Sequence, residues 1–201
     1  MSKHLCLYMF FIPLVLMFSC GNESGQTDGE KSFDSWSEAD SISYIEKGKN
    51  ISAAVFSSLF QLLSQSIASY GTDSAVAFCN LKALQVTDSL SQVFQAEIKR
   101  TSHKIRNPEN KPDSIEMIYI QKYLGKQPED PVAVDMGQKV YFFAPIWLAQ
   151  PCLQCHGNPE VDIKPEVLQK IKEKYPNDQA TGFEVGDLRG IWSIKFNKSI
   201  K

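Results

Sequence analysis

Cys152-Leu153-Gln154-Cys155-His156 is the stretch of this 201-residue chain whose residue types and spacing carry a recognisable chemistry. Two thiols separated by two residues can each form a thioether with one vinyl group of a porphyrin. The imidazole that follows then swings beneath the iron, so this is the pattern of c-type haem attachment. Two other chemistries use paired cysteines. A structural zinc site needs four ligands, usually in two clusters, and the sequence has neither a second CxxC nor a histidine pair. A thioredoxin-like dithiol draws its reactivity from a helix start, whereas Pro151 before the motif and Gly157 and Pro159 after it read as a loop. One covalent haem is the first reading, and a haem-free dithiol/disulfide redox protein using Cys152 and Cys155 is the alternative.

The remaining cysteines sort by position. Cys6 lies in an apolar run, Leu5 to Phe18, that follows Lys3 and His4. That run is shorter than the roughly 20 residues of a spanning helix and has the anatomy of an export signal. It ends in Ser19-Cys20-Gly21, which resembles a bacterial lipoprotein signal with Cys20 as the lipidated residue; a plain secretory signal with an incidental Cys20 is the alternative. The expected organisation is a signal peptide over 1–19, a flexible tether over 20–41 that lacks apolar runs, and a folded domain over 42–201. The protein is then expected in the cell envelope, held to a membrane through Cys20 and facing the periplasm or exterior. Export suits CxxCH, because c-type haem is attached outside the cytoplasm. Cys79, Cys152 and Cys155 remain in the domain, an odd number that disulfides alone would leave unpaired.

A formal charge of -2, with positive residues interleaved among acidic ones, excludes nucleic acid as an expected partner. Ordinary apolar and charged fractions describe one globular domain.

The elements that must position these residues follow from periodicity. Val55, Leu59, Leu62, Leu63 and Ile67 recur at helical spacing, predicting a helix over Ile51 to Tyr70 that Gly71 ends. A second helix, Ser74 to Leu90, turns Ala75, Cys79, Ala83 and Val86 to one side, with a small alanine one turn to either side of Cys79. Alternation from Phe94 to Ser102 predicts a strand, Asn107 to Pro112 a turn, and Asp113 or Ser114 the cap of a helix running to Leu124. An apolar strand over Val140 to Ala149 delivers the chain to CxxCH. A helix opening at Pro165 and a strand over Arg189 to Phe196 complete an α+β pattern, a small antiparallel sheet flanked by helices.

Several separated segments resemble a known family. Arg100-Thr101-Ser102, Arg106-Asn107-Pro108-Glu109-Asn110, Ala144-Pro145-Ile146, Cys152 through Gly157, Tyr175-Pro176-Asn177-Asp178 and Gly186-Asp187-Leu188-Arg189-Gly190 are similar to the single-haem c-type family with a PAS-like fold, long catalogued as a domain of unknown function. The resemblance covers Ile51 to Phe196. It implies a PAS-like sheet with an N-terminal helical pair, His156 on one face of the iron and Cys79, from the early helix, on the other. A thiolate ligand favours ferric iron and lowers its potential. With both axial positions filled, an oxygenase or peroxidase is not expected. A redox or gas sensor, or a low-potential electron-transfer protein, is expected instead, with a redox protein or a diatomic gas as its partner.

By residue type alone Cys79 reads also as a small buried apolar residue. His103, beside Lys104 and Arg106, reads as a rival iron ligand or, more simply, a solvated surface histidine. Arg100, Arg106 and Arg189 are candidates to pair with haem propionates, since guanidinium forks match carboxylates; ordinary surface arginines are the equal alternative.

Overall fold

A computed structural model describes residues 36–124 and 130–198. The signal segment, Cys20 and the tether as far as residue 35 lie outside the described residues. Four strands form one antiparallel sheet: β1 (Ala96–Thr101), β2 (Val132–Asp135), β3 (Lys139–Trp147) and β4 (Leu188–Asn197), in the order β1-β4-β3-β2. Around it run α1 (Glu38–Tyr70), α2 (Thr72–Phe94), α3 (Ser114–Tyr123), the single turn α4 (Leu153–His156) and α5 (Pro165–Lys174). The expected α+β architecture, an antiparallel sheet flanked by helices with a helical pair at its N-terminal end, is what these elements form.

Strand alternation sends each sheet face to a different helix. Ala96 and Ile98 of β1, Val140, Phe142 and Ala144 of β3, and Trp192, Ile194 and Phe196 of β4 pack with Ile51 and Val55 of α1. The intervening residues Phe143 and Ile191 face the other way and meet Ile120 and Tyr123 of α3. Asp113 caps α3 as expected, through a reciprocal capping box with Glu116.

Outside the CxxCH motif the helices and strands differ from the sequence expectation chiefly in three places. α1 begins at Glu38, well before Ile51, because Ser37 and Asp40 form a capping box and Trp36 stacks on Tyr44 at 5.8 Å. α2 continues to Phe94, and Gln95 in the left-handed region (φ 51°) ends it, so the strand opens at Ala96. β2 lies between the expected helix to Leu124 and the expected strand from Val140, where no strand is predicted; four residues after a proline show little alternation, and their strand geometry is set by pairing with Val140 to Phe143.

Candidate cofactor site around the CxxCH turn

The end of β3 is pinned before the motif begins. Leu148 N–H donates to Asp187 O (2.9 Å) and Leu148 O accepts from Gly186 N–H (2.8 Å), tying the chain to the segment that opens β4. Next comes a 3-10 turn, Gln150–Cys152, which runs directly into α4. The loop expected at Cys152 to His156 is therefore helical. Pro151 is the reason: its fixed φ suits the first helical turn and its missing N–H is not needed there. Winding the motif brings Cys152 and Cys155, three residues apart, onto one side of the turn, with His156 next in line.

Gly157 ends the turn, and a Cβ there would stand 2.5 Å from Asp162 Oδ2, so no larger residue fits. Phe183 N–H to His156 O (3.0 Å) and Gly182 N–H to Gly157 O (2.8 Å) bind the turn to the segment before β4. Cys152 is exposed, whereas Cys155 is half-buried against Val76 of α2 and Val167, Ile171 and Tyr175 of the α5 region.

His156 is held for one use of its ring. Nδ1 lies 2.7 Å from Ala180 O, which can only accept, so Nδ1 carries the proton and Nε2 keeps a free lone pair. Burial first, then Arg189 and Arg106, pushes its pKa well below the ordinary histidine value, although the Ala180 bond acts the other way. This is the neutral, oriented form in which an imidazole binds a metal, fixed by a carbonyl behind it.

Arg106 builds the frame for that turn. Its Nε donates to Asp178 Oδ1 (3.0 Å), and its Nη2 reaches Asp178 Oδ2 (3.1 Å), Cys155 O (2.7 Å) and Ala180 O (3.2 Å). One guanidinium thus holds both the motif's backbone and the carbonyl that orients His156. Arg100 and Arg189 differ, because neither has an ion-pair partner among the described residues. Arg100 lies over the Trp192 ring at 5.9 Å. Arg189 donates to Lys104 O (3.2 Å), sits 5.5 Å from the Phe183 ring centre, and has its buried Nε without an acceptor. Burial, then repulsion from Arg106, lowers its pKa to about 10, and burial lowers that of Arg100. Of the three guanidinium groups only Arg106 is paired with a carboxylate, Asp178, among the described residues, in a place where an unpaired charge is costly.

Cys79 of α2 belongs to the same neighbourhood. Burial raises its thiol pKa while Arg100 and Arg106 pull it down, and it lies close enough to Cys155 to raise that pKa as well. Helix packing puts it there, since Val76, one turn earlier, shares an apolar cluster with Cys155 and α5.

His103 is not the solvated histidine the sequence suggested. It is half-buried, its ring meets Phe183 edge-on at 6.0 Å, and its Nδ1 is shut away without a partner. Burial, Lys104 and Arg189 lower its pKa. Among the described residues no three His, Cys, Asp or Glu gather as a metal-binding set. Sequence reasoning gave no role to Tyr175, Asp178, Ala180 and Phe183. Tyr175 and Asp178 sit in a segment that carried the family resemblance; Ala180 acts through its backbone and Phe183 through packing, and neither leaves a composition signal.

A family model described as Tll0287-like matches residues 34–197. The chain belongs to the Tll0287-like family. The matched range takes in every element from α1 to β4. Among solved structures, the crystal structure of the cyanobacterial heme-protein Tll0287 superposes with a TM-score of 0.61 at 20% identity, covering 79% of this chain and 98% of that one. The two chains share that fold over the 79% of this chain that the match covers. No curated protein matches the chain.

Proposed function

We propose that this protein carries one haem c and works outside the cytoplasm as a redox or gas sensor or as a low-potential electron-transfer protein. The observation that carries the reading is the juxtaposition at the CxxCH turn: two free thiols on one side, His156 with Nδ1 committed and Nε2 available, and two half-buried arginines, Arg100 and Arg189, with no ion-pair partner among the described residues. A haem answers each requirement. Cys152 and Cys155 would bond it through thioethers, His156 and Cys79 would ligate its iron, and Arg100 and Arg189 would pair with its propionates, whose charge would offset theirs. Membership of a family with a cyanobacterial heme protein among its relatives supports the same assignment. When bound, the haem supplies a one-electron iron couple.

The chain's own part is to hold that chemistry in place. Ala180 and Phe183 fix the direction of His156, Arg106 and Asp178 lock the attachment turn, and α2 presents Cys79. With His156 and Cys79 both holding the iron, the site would suit electron transfer; because Cys79 stands on α2, its hold on the group would also tie that helix to the group's state, as a sensor requires. A dithiol enzyme is less well supported, because burial raises the Cys155 thiol instead of activating it.

Protein matured in a host competent for cytochrome assembly should hold its haem stain on a denaturing gel and lose it in Cys152→Ala and Cys155→Ala variants. A colourless product, with a mass explained by polypeptide and lipid, overturns the reading. Carbon monoxide and nitric oxide spectra then separate sensing from electron transfer. The lipid anchor is tested by Cys20→Ser, which should move the protein from the membrane to the soluble fraction.

A further inference from the structure

A cleft of about 530 Å³ opens beside the site, lined by His103, Lys104, Leu124, Trp147, Phe183, Asp187 and Leu188. None of Cys79, Cys152, Cys155 or His156 lines it, so it is a separate space with Phe183 as a common wall. Its volume suits a small organic molecule. Trp147, Leu124, Phe183 and Leu188 give it an apolar lining.

The polar groups around it are mostly donors. The Lys104 ammonium lies 4.7 Å from the Phe183 ring centre and has no acidic partner among the described residues. His103 keeps its Nδ1 buried with nothing to bond. A buried lone pair is tolerated better than a buried N–H, so the proton of the neutral ring belongs on Nε2 and makes that atom a donor. The Trp147 indole can only donate. Of the lining residues, only Asp187 brings a carboxylate, and its Oδ2 already accepts from Glu184 N–H at 2.8 Å. A molecule filling this space must therefore bring acceptors at one end and apolar surface at the other.

We infer that the cleft is a binding site for a small carboxylate with a flat or branched apolar body, and that Phe183 links its occupancy to His156. Phe183 is buried and touches both rings edge-on, His103 at 6.0 Å and His156 at 6.4 Å, and its backbone N–H bonds to His156 O. A ligand body pressing on Phe183 moves the ring that packs on His156. The site is independent of any cofactor; the link to potential rests on the haem assignment made above.

Calorimetric titration with benzoate tests the site, with benzylamine as the cationic control. Saturable binding of one benzoate and none of benzylamine is expected. Lys104→Met should weaken it roughly tenfold, the loss of one charge-assisted bond, and Lys104→Arg should restore it. No saturable benzoate heat, or equal affinity in Lys104→Met, overturns the site. The link is tested on haem-loaded protein by redox titration with and without benzoate. A potential shift that disappears in Phe183→Leu while benzoate still binds supports it, and an unchanged potential in the parent protein overturns it. Benzoate binding is read whether or not the protein is coloured, so this site and the haem assignment fail separately.

Discussion

Arg106 and Asp178 are 12% and 8% exposed, and the pair holds the turn that carries both attachment cysteines. Replacing Arg106 by Leu leaves a buried carboxylate without its partner, a change that costs about 3–5 kcal/mol in comparable buried pairs. We expect a large drop in unfolding midpoint and a poor yield of haem-loaded protein. The double variant Arg106→Leu/Asp178→Asn should recover part of the midpoint without recovering the yield, because the bond to Cys155 O stays lost. His103 gives a pH prediction. Its pKa in the fold lies below the unfolded value, so the folded state takes up its proton less readily. The stability it contributes is present above the unfolded pKa of about 6.5 and is lost as pH falls below it. His103→Gln should therefore flatten the dependence of the denaturant midpoint on pH between about 7 and 5; an unchanged slope would show that His103 contributes nothing. His156, lowered in the same direction, keeps a residual slope of the same sign.

At the scale of elements, the contact between α1 and the sheet depends on Gly48. A Cβ at this position would collide with the Phe142 ring, which belongs to a fully buried residue. Gly48→Ala should thus destabilise the domain by about 1–3 kcal/mol despite alanine's better helix propensity, read as a lower thermal midpoint. A gain in stability would mean that α1 sits farther from the sheet. The same glycine explains why the early half of α1 was hard to read from sequence. Its buried stripe is Gly48, Ile51, Ser52 and Val55, in which two of four residues are not apolar, so a hydrophobic period emerges only past Ile51. α5, by contrast, buries Val167 and Ile171 on one side with lysines elsewhere, and its range was legible.

For the molecule as a whole, one sheet is covered by α1 on one face and α3 on the other, and the candidate site sits beyond, where α2, α5 and the turn after β3 meet. Residues from Trp36 onward form one compact unit. A chain starting at Trp36 should keep one cooperative transition, as should one starting at Cys20. A chain starting at Ile51 should lose its cooperative transition, because Trp36 and Tyr44 no longer cover Phe196. Calorimetry distinguishes these outcomes, and equal midpoints for all three would show that the start of α1 adds nothing to the core.

The sequence by itself determined whatever neighbouring residues could specify: the thiol-thiol-imidazole order at Cys152 to His156, the apolar alternation of β3 and β4, and the odd cysteine on a helix with small neighbours. Tertiary structure decided which charges and ring atoms were left over. Arg100, Arg106 and Arg189 look alike in sequence, yet Arg106 is committed to a carboxylate 72 residues away while the other two have none among the described residues. His103 became a half-buried ring only because Phe183 and Arg189 return to it from the end of the chain. Local chemistry needs adjacent atoms, but burial and charge balance are sums over everything that the fold brings near.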